Sequence, residues 1–111
     1  MELAFIDQEF RDLCVNESIA KQVLGLPLAS SLKKRLADLS AASMVADIFG
    51  LPGRPRELTG YNQEKIAVNL IDNHLLLFTS GHLNTPYLPT GTVDWSNVRR
   101  IKILGIDNEH E

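Results

Sequence analysis

A single cysteine, Cys14, in 111 residues leaves no partner for an internal disulfide, which excludes a covalently stapled scaffold. Long apolar runs are missing as well. Charged or polar residues interrupt every hydrophobic stretch well short of the roughly 18 residues that a bilayer-spanning helix requires. The opening residues, Met1-Glu2-Leu3-Ala4-Phe5-Ile6-Asp7, carry neither a basic start nor an apolar run of signal-peptide length. These absences lead to the expectation of a cytoplasmic protein with no membrane role. An excess of positive charge is also lacking: 11 basic residues face 14 acidic ones, for a formal charge of −3. Binding to nucleic acid through overall charge is thereby excluded, and any such contact must use a local patch. Internal repeats, a low-complexity linker, a Gly-rich phosphate loop and a Ser nucleophile elbow are all absent from the sequence.

What is present is enough apolar material for a core. With 44% hydrophobic side chains in 111 residues, one domain spanning residues 1–111 is expected. Basic residues gather at Lys33-Lys34-Arg35, Arg54-Pro55-Arg56 and Arg99-Arg100-Ile101-Lys102. The ordinary reading of each cluster is a solvated face.

Periodicity divides the chain near its middle. Leu3 and Phe5 alternate with Ala4 and Ile6 as a short first strand, and Asp7 is placed to cap a helix from near Gln8 to about Cys14. Pro27 suits a first helical turn, and Leu28, Leu32, Leu36 and Leu39 stack on one face, which predicts a helix over residues 27–41. Lys33, Lys34 and Asp38 fall off that stripe. Ser43 to Phe49 fits one further turn or short helix, which Gly50-Leu51-Pro52-Gly53 stops. Beyond it the period becomes two: Ile66, Val68 and Leu70 face one way, and Lys65, Ala67, Asn69 and Ile71 the other. Asp72-Asn73 supplies turn chemistry for a hairpin into Leu75-Leu76-Leu77-Phe78. Residues 79–91 read as a loop, and a last strand follows in which Ile101 and Ile103 alternate with Lys102, Leu104 and Ile106. Helices grouped before strands predict an α+β domain, with an N-terminal strand and two to three helices packed on an antiparallel β-sheet meander.

Several stretches, in this order and spacing, resemble the RelE/ParE toxin superfamily, and within it the HigB-like killer proteins. They are the leucine helix followed by Leu51-Pro52-Gly53, Glu57-Leu58-Thr59-Gly60 ahead of a strand, and Leu75 to Phe78. Above all, Gly91-Thr92-Val93-Asp94-Trp95-Ser96-Asn97-Val98 leads to Ile101-Lys102-Ile103-Leu104 and the histidine His110. The resemblance implies a RelE-like fold and the toxin of a type II toxin-antitoxin system, a ribosome-dependent messenger-RNA endoribonuclease, or mRNA interferase. It implies as partners a helix-turn-helix antitoxin, the ribosome and its message, and operator DNA through the antitoxin complex. No cofactor and no metal are expected. Three positions depart from the family pattern. Thr59 stands where the family usually has lysine, Leu75 stands where an arginine is expected, and the closing Asp-Tyr-His appears as Asn108-Glu109-His110.

Those departures matter because attack of a 2′-hydroxyl on the adjacent phosphate gathers negative charge that cations must stabilise, while a positioned acid and base move protons. The candidate catalytic residues are Arg56, Glu109 and His110. Arg56 lies where many relatives carry histidine ahead of the Glu-Leu step, and its guanidinium suits a phosphate. His110 is the candidate acid or base, with Glu109 as base or orienting group, against the competing reading of a solvated tail. Arg54, Lys65 and Lys102 are the candidate substrate-binding cations. His74 and His82 read as polar loop or turn residues, Trp95 as an indole pinned against the helices beside the last strand, and Cys14 as a small core residue. Three functions stay open at this point: an active endoribonuclease toxin, a toxin-fold protein that has lost cleavage and acts by binding, and an unrelated α+β interaction module.

Overall fold

The computed structural model describes residues 1–58 and 64–108. Strand β1 (Glu2–Phe5) leads into helix α1 (Gln8–Val15), whose first turn is capped by Asp7. The Asp7 carboxylate accepts the Phe10 backbone N–H at 2.8 Å, satisfying a donor that the helix start leaves open. Asn16 ends α1 and caps α2 (Glu17–Leu24) by accepting from the N–H groups of Ser18 and Ile19. This second helix was not anticipated from the sequence. Gly25, at φ 81°, turns the chain into α3 (Leu26–Ala41), where Pro27 occupies the first turn. The leucine stripe packs inward as expected, with Leu28, Leu32 and Leu39 buried and Leu36 partly so. Lys33 and Lys34 point into solvent. A 3₁₀ helix, Val45–Gly50, follows and stops at the Gly-Leu-Pro-Gly segment.

Four further strands complete the sheet: β2 (Arg56–Leu58), β3 (Lys65–Asn69), β4 (His74–Ser80) and β5 (Arg100–Asn108). Their order is β1-β5-β4-β3-β2. Strands β2 to β5 form the expected antiparallel meander, and the β3–β4 hairpin turns at Asp72 and Asn73, both at positive φ (55° and 61°). The sheet is nevertheless mixed, because β1 pairs parallel to β5. An all-antiparallel sheet is therefore corrected: the last strand leaves an open edge, and β1 fills it by running the same way, with the helices and the meander serving as crossover.

One face of the sheet carries Ile66, Val68, Leu76, Phe78, Ile101 and Ile103, which close against α3 and the 3₁₀ segment through Leu32, Leu39, Val45 and Ile48. Trp95, in a short 3₁₀ turn (Trp95–Asn97), joins this core. The β4–β5 register shifts between Leu77 and Phe78: Phe78 pairs with Ile103 and Leu77 with Gly105, so Leu104 is the extra residue of a bulge. This corrects the simple alternation expected for the last strand. Ile106 lies opposite Leu76 and packs against the core, not beside Lys102.

Candidate functional site

Among the described residues, the helical core packs on the face that carries Ile66 and Phe78, and side-chain parity decides what the opposite face displays. In-register rows of an antiparallel ladder point the same way. Arg56 pairs with Ala67, Ala67 with Leu77, and Leu77 with Gly105, all on the side away from Ile66 and Val68. Thr79 pairs with Lys102 on that same side, and continuing the β3–β4 register by one step sets Lys65 beside Thr79. Lys65 and Lys102 therefore flank Thr79 at about two strand spacings from each other, roughly 10 Å between backbones. Small or apolar residues form the floor, with Ala67 at 0%, Thr79 at 3% and Leu75 at 7% exposure, between the half-buried Arg56, Lys65 and Lys102.

Hydrogen bonds hold this floor. The Thr79 hydroxyl donates to the Glu64 carbonyl at 2.6 Å, tying the start of β3 to β4. Arg56 Nη1 donates to the Arg54 carbonyl at 2.9 Å and to Asn69 Oδ1 at 3.0 Å. The approach to β2 is strained: Gly53 sits at φ 102° and Arg54 at φ 49°. At the β1 edge Arg100 pairs with Glu2 at 3.6 Å, and at the hairpin end Asp107 lies opposite Leu75. Among the described residues, Arg56, Lys65 and Lys102 are thus the cations of this face between the β1 edge and the hairpin end.

Arg56, Lys65 and Lys102, separated by up to 46 positions in sequence, are brought to one face. Arg54 is exposed on the preceding loop and contributes its carbonyl to Arg56. Glu109 and His110, like Thr59 and Tyr61, lie outside the described residues. Leu75, which takes the place of an expected arginine, sits on this face between Asn69 and Asp107. Sequence reading missed Asn69 and Glu64. Among the described residues, one oxygen of the Glu64 carboxylate is buried without a hydrogen-bond partner.

His82 and His74 each meet a backbone group. His82 Nε2 accepts the Arg99 N–H at 2.9 Å, and His74 Nδ1 lies 3.1 Å from the Ile71 carbonyl. Trp95 is buried, and its indole N–H donates to Glu57 on β2. On the helical side, a cavity of about 300 Å³ lies among α1, α2 and α3, with Leu13, Cys14, Ala20, Ala29 and Leu32 in its walls. Burial pushes the Cys14 thiol up to about 12, which leaves it protonated and unreactive. That cavity is lined mainly by apolar side chains, whereas Arg56, Lys65 and Lys102 lie on the sheet face.

No protein-family model, curated protein or solved structure matches this chain. Among the described residues no helix is long and apolar enough to cross a membrane, and no three His, Cys, Asp or Glu side chains are grouped to hold a metal ion. The arrangement of the sheet face can bind an anion and stabilise charge that develops on it.

Proposed function

We propose that the chain is a toxin of the RelE/ParE kind, which binds RNA across the open face of its sheet and acts on messenger RNA at the ribosome as an endoribonuclease of reduced power. The observation that supports this reading is that Arg56, Lys65 and Lys102 lie on one face of the sheet, Lys65 and Lys102 on either side of Thr79 and Arg56 in the neighbouring row opposite Ala67. Three cations over a small, apolar floor suit a phosphodiester backbone with unstacked bases. Because the whole chain carries a net charge of −3, this face is a local patch in an otherwise acidic molecule. Arg56 is the residue assigned to the scissile phosphate, with Lys65 and Lys102 on its neighbours. Glu109 and His110 remain the candidates for proton transfer on the strength of the resemblance.

The position of Leu75 supports the reduced power. A leucine occupies the very face that would need a further arginine, and loss of one preorganised donor costs on the order of 100- to 1000-fold in rate. A second reading follows from the same observation: a protein of this fold that retains binding to an antitoxin while cleavage has lapsed.

Inducible expression in a bacterial host, with message integrity followed beside growth, separates the two. Arrest with ribosome-dependent cleavage, relieved by Arg56→Ala, is the result expected of the toxin. Normal growth with intact messages, combined with retained association with a helix-turn-helix partner, selects the binder. Growth arrest that Arg56→Ala does not relieve removes the site assignment.

A further inference from the structure

We infer that Asn69 is a positioning residue for Arg56, ordering its guanidinium on the open face; the inference rests on the RNA-binding reading above. Asn69 stands where three segments meet. Its backbone N–H donates to the Gly53 carbonyl at 2.7 Å, and its own carbonyl accepts from Arg35 Nε of α3 at 3.2 Å. Arg35 is in turn paired with Asp38 at 3.2 Å. The backbone of Asn69 is thus fixed from both sides, and its side chain carries that rigidity to Arg56 through the 3.0 Å contact at Oδ1. Arginine only donates, so the amide oxygen must be the atom that faces it.

The choice of amide over carboxylate has a chemical consequence. A neutral oxygen orders the guanidinium without itself neutralising its charge, whereas an aspartate in the same place would form an ion pair that competes with phosphate. The second Nη1 contact, to the Arg54 carbonyl, is likewise neutral. The Gly53-Arg54 turn, with both residues at positive φ, supplies the Arg54 carbonyl and leads directly into β2, and its Gly53 carbonyl accepts the Asn69 N–H.

Two readouts test the assignment, one of them without RNA. In the free protein, side-chain ¹⁵N relaxation of Arg56 reports its order: Asn69→Ala is expected to loosen the guanidinium, and Asn69→Asp to keep it ordered. Every variant retains the backbone hydrogen bonds of residue 69, and an unchanged far-UV circular dichroism spectrum checks the fold. Binding to a single-stranded oligoribonucleotide is the second readout. Asn69→Ala is expected to weaken it by roughly 3- to 10-fold, the worth of one ordinary hydrogen bond, and to add nothing once Arg56 is alanine. Asn69→Asp is expected to weaken binding although Arg56 stays ordered. An Arg56 that is equally ordered in Asn69→Ala overturns the inference. So does an Asn69→Ala effect that persists undiminished in the Arg56→Ala background. If Arg56→Ala leaves RNA binding intact, the reading of the face fails and the inference falls with it, whatever the relaxation data report about order.

Discussion

The indole N–H of Trp95 donates to the carboxylate of Glu57, joining the turn before β5 to the three-residue edge strand β2. Neither residue touches the cationic face, yet Glu57 is the immediate neighbour of Arg56 and anchors the strand that carries it. Replacing Glu57 by alanine leaves a donor on a side chain only 8% exposed without its partner. The expected cost is about 1–3 kcal/mol in stability, with a change in tryptophan emission, whereas Glu57→Gln, which keeps an acceptor, recovers most of it. Urea unfolding followed by fluorescence measures both.

Gly53 is held to glycine by space as well as by φ. A Cβ there would lie 2.8 Å from Val68 Cγ1 and 3.0 Å from Arg35 Nε, on a residue at φ 102°. Gly53→Ala is expected to cost about 1–3 kcal/mol and to weaken RNA binding by moving the Arg54 carbonyl that Arg56 uses. Chemical denaturation combined with oligonucleotide titration checks this; an alanine variant of parental stability contradicts the close packing.

Phe78 lies wholly buried at the centre of the sheet, between Ile66 and Ile103 in register. Phe78→Ala is expected to remove about 3–5 kcal/mol, a large share of the 5–15 kcal/mol typical of a domain. Thermal unfolding measured beside Leu83→Ala, at a residue almost fully exposed, provides the contrast: no measurable change is expected from the second.

Two titrations carry signs. Hydrogen bonds from Ser96 and then Asn97 hold the exposed Asp94 carboxyl below its usual range. Its contribution is complete above the ordinary aspartate value, near 4, and is lost as pH falls through the lowered folded value. Asp94→Asn is therefore expected to be less stable than the parent at neutral pH and indistinguishable from it in strong acid. Acid unfolding monitored by circular dichroism reads the difference.

Cys14 runs the other way. Burial raises its thiol to about 12, so at pH 8 its thiolate fraction falls about three orders of magnitude below that of a free cysteine. Alkylation of the native protein by iodoacetamide is expected to be correspondingly slow and to accelerate on unfolding.

Elements whose contacts are local were legible in the sequence. The leucine stripe of α3, the Asp7 cap and the Asp72-Asn73 hairpin each depend on residues a few positions apart, and each formed within a residue or two of expectation. Helix α2 had a readable signal, the Asn16 cap followed by Ile19, Ala20, Val23 and Leu24, but its apolar pattern spans barely two turns. The parallel β1–β5 pairing was hidden because it joins residues nearly 100 positions apart by backbone bonds, which are indifferent to side chains. The bulge at Leu104 reversed the facing of Ile106, since one extra residue flips every position beyond it.

For the site, alternation alone put Lys65 on the outer side of β3, but only the register of four strands joined it to Arg56 and Lys102. Asn69 read as one more outward polar residue. Its role comes from α3 and the Gly53 turn, neither of which any spacing rule connects to it.

The salt dependence of oligoribonucleotide binding tests the proposal that RNA binds the sheet face carrying Arg56, Lys65 and Lys102. The parent is compared with an open-face variant, Arg56→Ala, Lys65→Ala and Lys102→Ala combined, and with a helix-face control, Lys33→Ala and Lys34→Ala. The open-face variant is expected to lose affinity and its log–log salt slope to fall by about 2, three contacts at roughly 0.7 each, while the control keeps the parental slope. Loss of binding in the Lys33/Lys34 control, with the open-face variant unchanged, would contradict it.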